Sequence, residues 1–89
     1  MARKRERLDV IKDILKSIRE NRKIKPTRLL YSSNLSPQMF KEYVTELLEK
    51  QFIQNRTDKK GRRFFSLTEK GSRYLEKYQI IKGFIEDFD

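Results

Sequence analysis

The chain has 89 residues, a formal net charge of +9, 39% charged residues, and neither Cys nor His. That length suits one small domain, and the missing residue types exclude disulfide staples, thiolate or imidazole metal sites and the commonest general base near neutral pH. No apolar run approaches the roughly 20 residues that span a bilayer and no secretory signal opens the chain, so no membrane, metal or cofactor partner is expected and the chain reads as cytoplasmic.

Residues 1–7, Met1-Ala2-Arg3-Lys4-Arg5-Glu6-Arg7, form a basic arm with four bases and one acid. From Leu8 the apolar residues Leu8, Ile11, Ile14, Leu15 and Ile18 recur as a helical stripe. Asp9, Lys12, Asp13, Lys16 and Arg19 lie elsewhere on this helix and are expected to stay solvated. The helix should end near Asn21, a residue that tolerates the left-handed conformation common at helix ends. Ile24 is a candidate for a short edge strand. Pro26 suits a first helical turn, so Thr27 to about Ser33 reads as a second helix burying Leu29 and Leu30. Residues 22–35 carry four bases and no acid. Ser32-Ser33-Asn34 makes the following turn, with Leu35 plugging it from inside.

Ser36-Pro37 is a helix start, with Ser at the N-cap and Pro at the first helical position. Phe40, Tyr43, Val44, Leu47 and Leu48 form the buried face of this third helix. Gln38, Glu42, Thr45 and Glu49 lie on the opposite face, and the helix closes around Lys50-Gln51. Residues 52–57 alternate as a half-buried strand with Ile53 inward. Asp58-Lys59-Lys60-Gly61-Arg62-Arg63 is a hairpin tip in which Gly61 supplies the positive φ of a bulged turn. Five bases fall within residues 56–63, a crowding that is repulsive unless a polyanion relieves it. The second strand returns through residues 63–67 with Phe65 and Leu67 inward.

Thr68 then caps a fourth helix that runs to the end. Tyr74, Tyr78, Ile81, Ile85 and Phe88 step along it by four, three, four and three, which is a heptad seam, and Ile80 and Phe84 widen it. A rod of about 31 Å results at 1.5 Å per residue. Its first half can pack on the domain, whereas a domain this small has little left to cover the rest, and an exposed apolar patch marks an interface. The expected cover is a second copy, through Tyr74, Tyr78, Ile81, Phe84, Ile85 and Phe88. Coverage by helix 1 within one chain is the alternative, and the direction of helix pairing stays open.

The fold class expected is mainly α with a small β-hairpin: a winged helix-turn-helix with a long C-terminal dimerisation helix. The arm takes residues 1–7, the winged domain 8–67 and the dimerisation helix 68–89. Ser33-Asn34-Leu35-Ser36, Phe40, Tyr43, Leu47-Leu48, Phe52-Ile53 and Leu67-Thr68-Glu69-Lys70-Gly71 resemble, in order and spacing, the pattern of small archaeal winged-helix DNA-binding proteins. The resemblance covers about residues 8–89. Gln51 departs from it, standing where a Gly ending the third helix is expected. The resemblance implies a transcription regulator or chromatin-type nucleoid protein, and a dimer built on the C-terminal helix as an antiparallel coiled coil.

Double-stranded DNA is therefore the expected partner, with the nucleoid as the location. Helix 3 would meet the major groove, where Ser36, Gln38, Lys41 and Thr45 reach phosphates or base edges. Gln can read adenine with two hydrogen bonds, although an ordinary solvated helix face explains Gln38 and Thr45 nearly as well. Thr27 and Arg28 would touch backbone. Lys59, Lys60, Arg62 and Arg63, with Arg56 behind them, would grip phosphate or enter the minor groove. Glu42 and Glu49 on the outward face oppose deep insertion, so wing, helix 2 and arm should supply most of the affinity, with modest sequence selectivity. The alternative is a winged-helix protein–protein interaction module, since fold does not fix function. No enzymatic activity is expected, and Glu42 and Glu46 read as solvent-facing charges on one helix.

Overall fold

Val10, Ile11, Ile14, Leu15 and Ile18 share one side of α1 (Arg7–Glu20) and are buried, so this helix packs against α2, α4 and β2. The computed structural model describes residues 7–87, with side chains described to residue 84. The remaining elements are α2 (Pro26–Ser33), α3 (Pro37–Glu49), β1 (Ile53–Thr57), β2 (Arg63–Leu67) and α4 (Glu69–Asp87). Helices 2 and 3 with the following hairpin make a winged helix-turn-helix. Residues 1–6 of the expected arm, the Ile85 side chain and Phe88 lie outside the described residues.

The buried stripe on α1 differs from the expected one at its start. Leu8 is 55% exposed and Val10 takes the core position. Val10 stands one turn before Ile14 and on its face, whereas the Leu8 side chain points away from the core. α1 also closes differently: Asn21 does not take a left-handed conformation. Its side-chain amide and its backbone N–H both donate to the Ser17 carbonyl, at 2.9 and 3.1 Å, so the orphan carbonyl is satisfied without a left-handed residue.

Ser32 and Ser33 belong to α2 rather than to a turn. The buried Ser33 hydroxyl donates to the Leu30 carbonyl at 2.7 Å and accepts from the Leu35 N–H at 3.3 Å. The reversal falls on Asn34, which is left-handed with φ 57°. Ser36 caps α3 by accepting the Met39 N–H at 3.2 Å. Leu15 and Leu29 are fully buried, and a buried Leu contributes about 2 kcal/mol. That exceeds an exposed ion pair such as Arg73–Glu69, which is worth less than about 1 kcal/mol.

The hairpin pairs β1 and β2 antiparallel, with Ile53 opposite Leu67, Asn55 opposite Phe65 and Arg56 opposite Phe64. Ile53 and Phe65 are buried as alternation requires, and Leu67 is half-buried. Ile24 adds an antiparallel bridge to Phe65. The first half of α4 belongs to the same core, through Leu75 at 2% exposure.

Candidate nucleic-acid interface

The wing tip is organised by its single acid. The Asp58 carboxylate accepts the Lys60 N–H at 2.8 Å and the Arg62 N–H at 2.9 Å. Its backbone closes the loop, donating to the Arg62 carbonyl and accepting from the Gly61 N–H, both at 3.0 Å. Gly61 takes φ 76°, a left-handed value that glycine adopts without penalty. The Arg62 N–H, followed by that of Lys60 and the Arg62 and Lys23 charges, holds the Asp58 carboxyl below its ordinary range. Asp58 thus directs its acceptor capacity to the backbone, while Lys59, Lys60, Arg62 and Arg63 remain exposed. Nothing in the sequence pattern singled out this acid except its place at the start of a turn, where Asp commonly bonds its own backbone.

α3 presents one exposed strip to solvent. Gln38, Lys41, Glu42, Thr45 and Glu49 follow at helical spacing and are all exposed. Glu46 does not belong with them. It is half-buried and ion-paired with Arg7 and with Lys50, the latter at 2.8 Å. The Lys50 and Arg7 hydrogen bonds lower its carboxyl from the ordinary value. Arg7 in turn lies 5.5 Å from the centre of the Tyr43 ring. The expected solvent-facing Glu46 is therefore corrected: it is ion-paired, and through Arg7, the first residue of α1, it links the start of α1 to α3.

Thr27 and Arg28 are exposed on α2, and Tyr31, one turn further along, is 79% exposed. Arg56 and Arg63 are brought into the hairpin but not onto one face. Arg56 pairs with Phe64 and Arg63 with Thr57, and adjacent register pairs point to opposite faces.

The end of α3 is clasped to the start of α4, which sets helix and wing relative to each other. The Phe52 N–H donates to the Leu47 carbonyl at 2.9 Å and the Gln51 N–H to Leu48 at 3.1 Å, the bonding of a Schellman cap. Gln51 takes φ 62°, so the position expected to hold Gly has the geometry of Gly without the residue. The Thr68 hydroxyl donates to the Gln51 and Phe52 carbonyls at 2.6 and 3.0 Å and caps α4 by accepting the Gly71 N–H at 3.1 Å. The Lys70 ammonium donates to the Lys50 carbonyl at 2.8 Å and lies 4.6 Å from the Phe52 ring centre.

The heptad seam divides in two. Tyr74 and Tyr78 are half-buried, and their hydroxyls donate to the Leu8 carbonyl, at 3.3 Å, and to the Asp9 carboxylate. Asp9 is consequently not a solvated charge. Burial, followed by the Asp9 charge, pushes the Tyr74 phenol above its ordinary value. Beyond Tyr78 the helix stands clear, with Ile80, Ile81 and Phe84 at 60%, 57% and 63% exposure. Among the described residues no helix is long and apolar enough to cross a membrane.

A hairpin with a cationic tip beside a helix-turn-helix defines the winged-helix class. The family model described as Winged helix-turn-helix matches residues 4–86, and the chain belongs to that family. The protein MJ0290 of Methanocaldococcus jannaschii, itself uncharacterized, is 36% identical over 78 residues, which cover 88% of this chain and 34% of that protein. The chain thus spans about a third of that relative's length. Among solved structures, MepR, a transcription regulator of the Staphylococcus aureus multidrug efflux pump MepA, matches with a TM-score of 0.77 at 15% identity, over 90% of this chain and 61% of that one. Sso10a-2, a DNA-binding protein from Sulfolobus solfataricus, matches with a TM-score of 0.73 at 20% identity, over 94% and 85%. At such identities the likeness is one of fold.

Proposed function

We propose that the chain is a double-stranded DNA-binding protein, a transcription regulator or nucleoid-associated protein, that acts as a homodimer. The observation that carries this reading is the wing tip: Asp58 ties the turn so that Lys59, Lys60 and Arg62 are exposed on one short loop, with Arg63 exposed at the start of the strand that follows. Phosphate neutralisation by such a cluster releases counterions and drives binding. The exposed strip Gln38–Lys41–Thr45 is then offered to the major groove from its N-terminal end, with Ser36 at the cap, and Thr27 and Arg28 approach the backbone. Glu42 and Glu49 in the same strip favour shallow insertion and modest selectivity. A fold shared with a DNA-binding protein and a transcription regulator supports the reading.

The second copy would cover Ile80, Ile81 and Phe84, apolar side chains that nothing in the described chain covers. Two linked winged helices on one duplex gain effective concentration without new contacts.

Titrating duplex affinity against salt tests the proposal. Wild-type affinity should fall steeply with salt. Neutralising Lys59, Lys60, Arg62 and Arg63 should flatten the slope by about 0.9 for each phosphate that is no longer neutralised, and should weaken all duplex sequences alike. The acidic strip on α3 is the specific observation that favours a protein-interaction module instead. Weak binding with no salt dependence would support that second reading and sink the first.

A further inference from the structure

The basic segment before α2 is placed by one backbone pairing. The Phe65 N–H donates to the Ile24 carbonyl at 3.1 Å, and the two residues form an antiparallel bridge with both side chains buried. Alternation across extended backbone then turns Lys25 to the outer face, across from Phe64. Lys23 reaches that face too, its ammonium 5.8 Å from the centre of the Phe64 ring. On the other side of the hairpin Phe64 is paired with Arg56. Lys23 and Arg56, from separate stretches of chain, thus flank one half-buried aromatic, with Lys25 turned to the same face by alternation, and all three cations are exposed. The Lys23 charge is felt at the wing turn, at Asp58.

Lys25 carries an independent signal. It occupies the N-cap of α2 and its side chain makes no cap hydrogen bond. Ser, Thr, Asp or Asn would satisfy a helix N–H there, and a cation is the wrong charge for the positive end of a helix. The position holds Lys at a cost in stability, which fits a charge directed outside the chain.

We infer that Lys23, Lys25 and Arg56 form a phosphate-contact track on the outer face of the wing, continuous with its tip. The duplex backbone is followed from the hairpin tip toward the start of α2. This inference rests on the DNA-binding reading and extends its footprint to two lysines outside the hairpin and the helix-turn-helix. A track of this kind reads no base edge, so it adds affinity for duplexes of any sequence.

The test uses the full chain, a mixed-sequence duplex and a series of salt concentrations. Substituting Lys23→Gln, Lys25→Ser and Arg56→Gln together should flatten the salt slope by about 2.7, or about 0.9 per phosphate, and lower low-salt affinity at least about tenfold. Neutralising Arg73, Lys77 and Lys82 on α4 removes the same charge and should leave the slope unchanged. Lys25→Ser alone should raise the thermal midpoint while weakening binding, a pair of opposite shifts that misfolding does not produce. Equal losses from the α4 control would reduce the effect to net charge and overturn the track. A wild-type slope in the track variant, with a flattened one in the wing-tip variant, would overturn the track and leave the DNA reading standing. Salt-independent binding by the wild-type chain would remove both.

Discussion

The carbonyl oxygen of Phe52 occupies the space that a Cβ on Gly71 would need. The obstacle is backbone, so it cannot swing aside as a side chain would. This contact explains the run Leu67-Thr68-Glu69-Lys70-Gly71: Thr68 draws α4 onto the end of α3, and Gly71 lets it arrive. Gly71→Ala should force the two helices apart and destabilise the fold by about 1–3 kcal/mol, the usual range for overpacking. Urea unfolding measures this, and an unchanged midpoint would mean that the clasp is looser than described.

Gln51 lies in the same clasp with the opposite expectation. A left-handed residue with a Cβ bears a strain of about 1–2 kcal/mol. Glycine relieves it but loses more chain entropy on folding. Gln51→Gly should therefore stabilise by a net of about 0.5–1 kcal/mol, with duplex affinity unchanged because the side chain is not in the proposed interface. A fall in stability on denaturation would show that Gln51 makes a compensating contact.

Asp58 separates charge from shape. By charge alone, removing the acid from a cluster of bases should tighten binding to DNA. As the organiser of the turn, its removal should weaken binding, because the Lys60 and Arg62 N–H groups are left without their acceptor. Asp58→Ala is expected to loosen the wing, seen as faster amide exchange at Lys60 and Arg62, and to lower duplex affinity. The pH dependence has the same origin. The folded carboxyl lies below its ordinary value of 3.8, so its contribution is complete above that value and disappears as pH falls through the lower folded one. Wing amide protection should hold at neutral pH and fade only under strong acid. Tighter binding by the Ala variant would reject the organising role.

The proposed dimer depends on the half of the seam that α1 leaves uncovered. Ile81→Lys with Phe84→Lys should give a monomer by sedimentation and a duplex affinity reduced at least about tenfold as the second site loses its effective concentration. The fold should survive, since neither side chain belongs to the core and both are more than half exposed. A wild-type chain that sediments as one copy at micromolar concentration would exclude this dimer.

Where neighbouring residues decided the outcome, the sequence was sufficient. Ser36-Pro37 starts α3 because a hydroxyl cap and a fixed φ act within one turn. Gly61 marks the bulged tip, and alternation sends Ile53 and Phe65 inward, because both effects are written over a few adjacent positions. The exposure of Gln38, Lys41 and Thr45 follows from helical spacing alone. Contacts between distant stretches had no such signal. Periodicity could not tell Leu8 from Val10, since which of them is covered is set by what lies across from the helix. Asp9 receives the Tyr78 hydroxyl from 69 residues away, and Glu46 is claimed by Arg7 from another helix, so two charges that look solvated on a helical wheel are partnered in the fold. The left-handed turn at Gln51 runs against the local preference of the residue, and the Thr68 hydroxyl bonds its carbonyl from 17 residues away. The gathering of Lys23 and Lys25 beside Arg56 likewise depends on a single bridge, Ile24 to Phe65, that folding brings together.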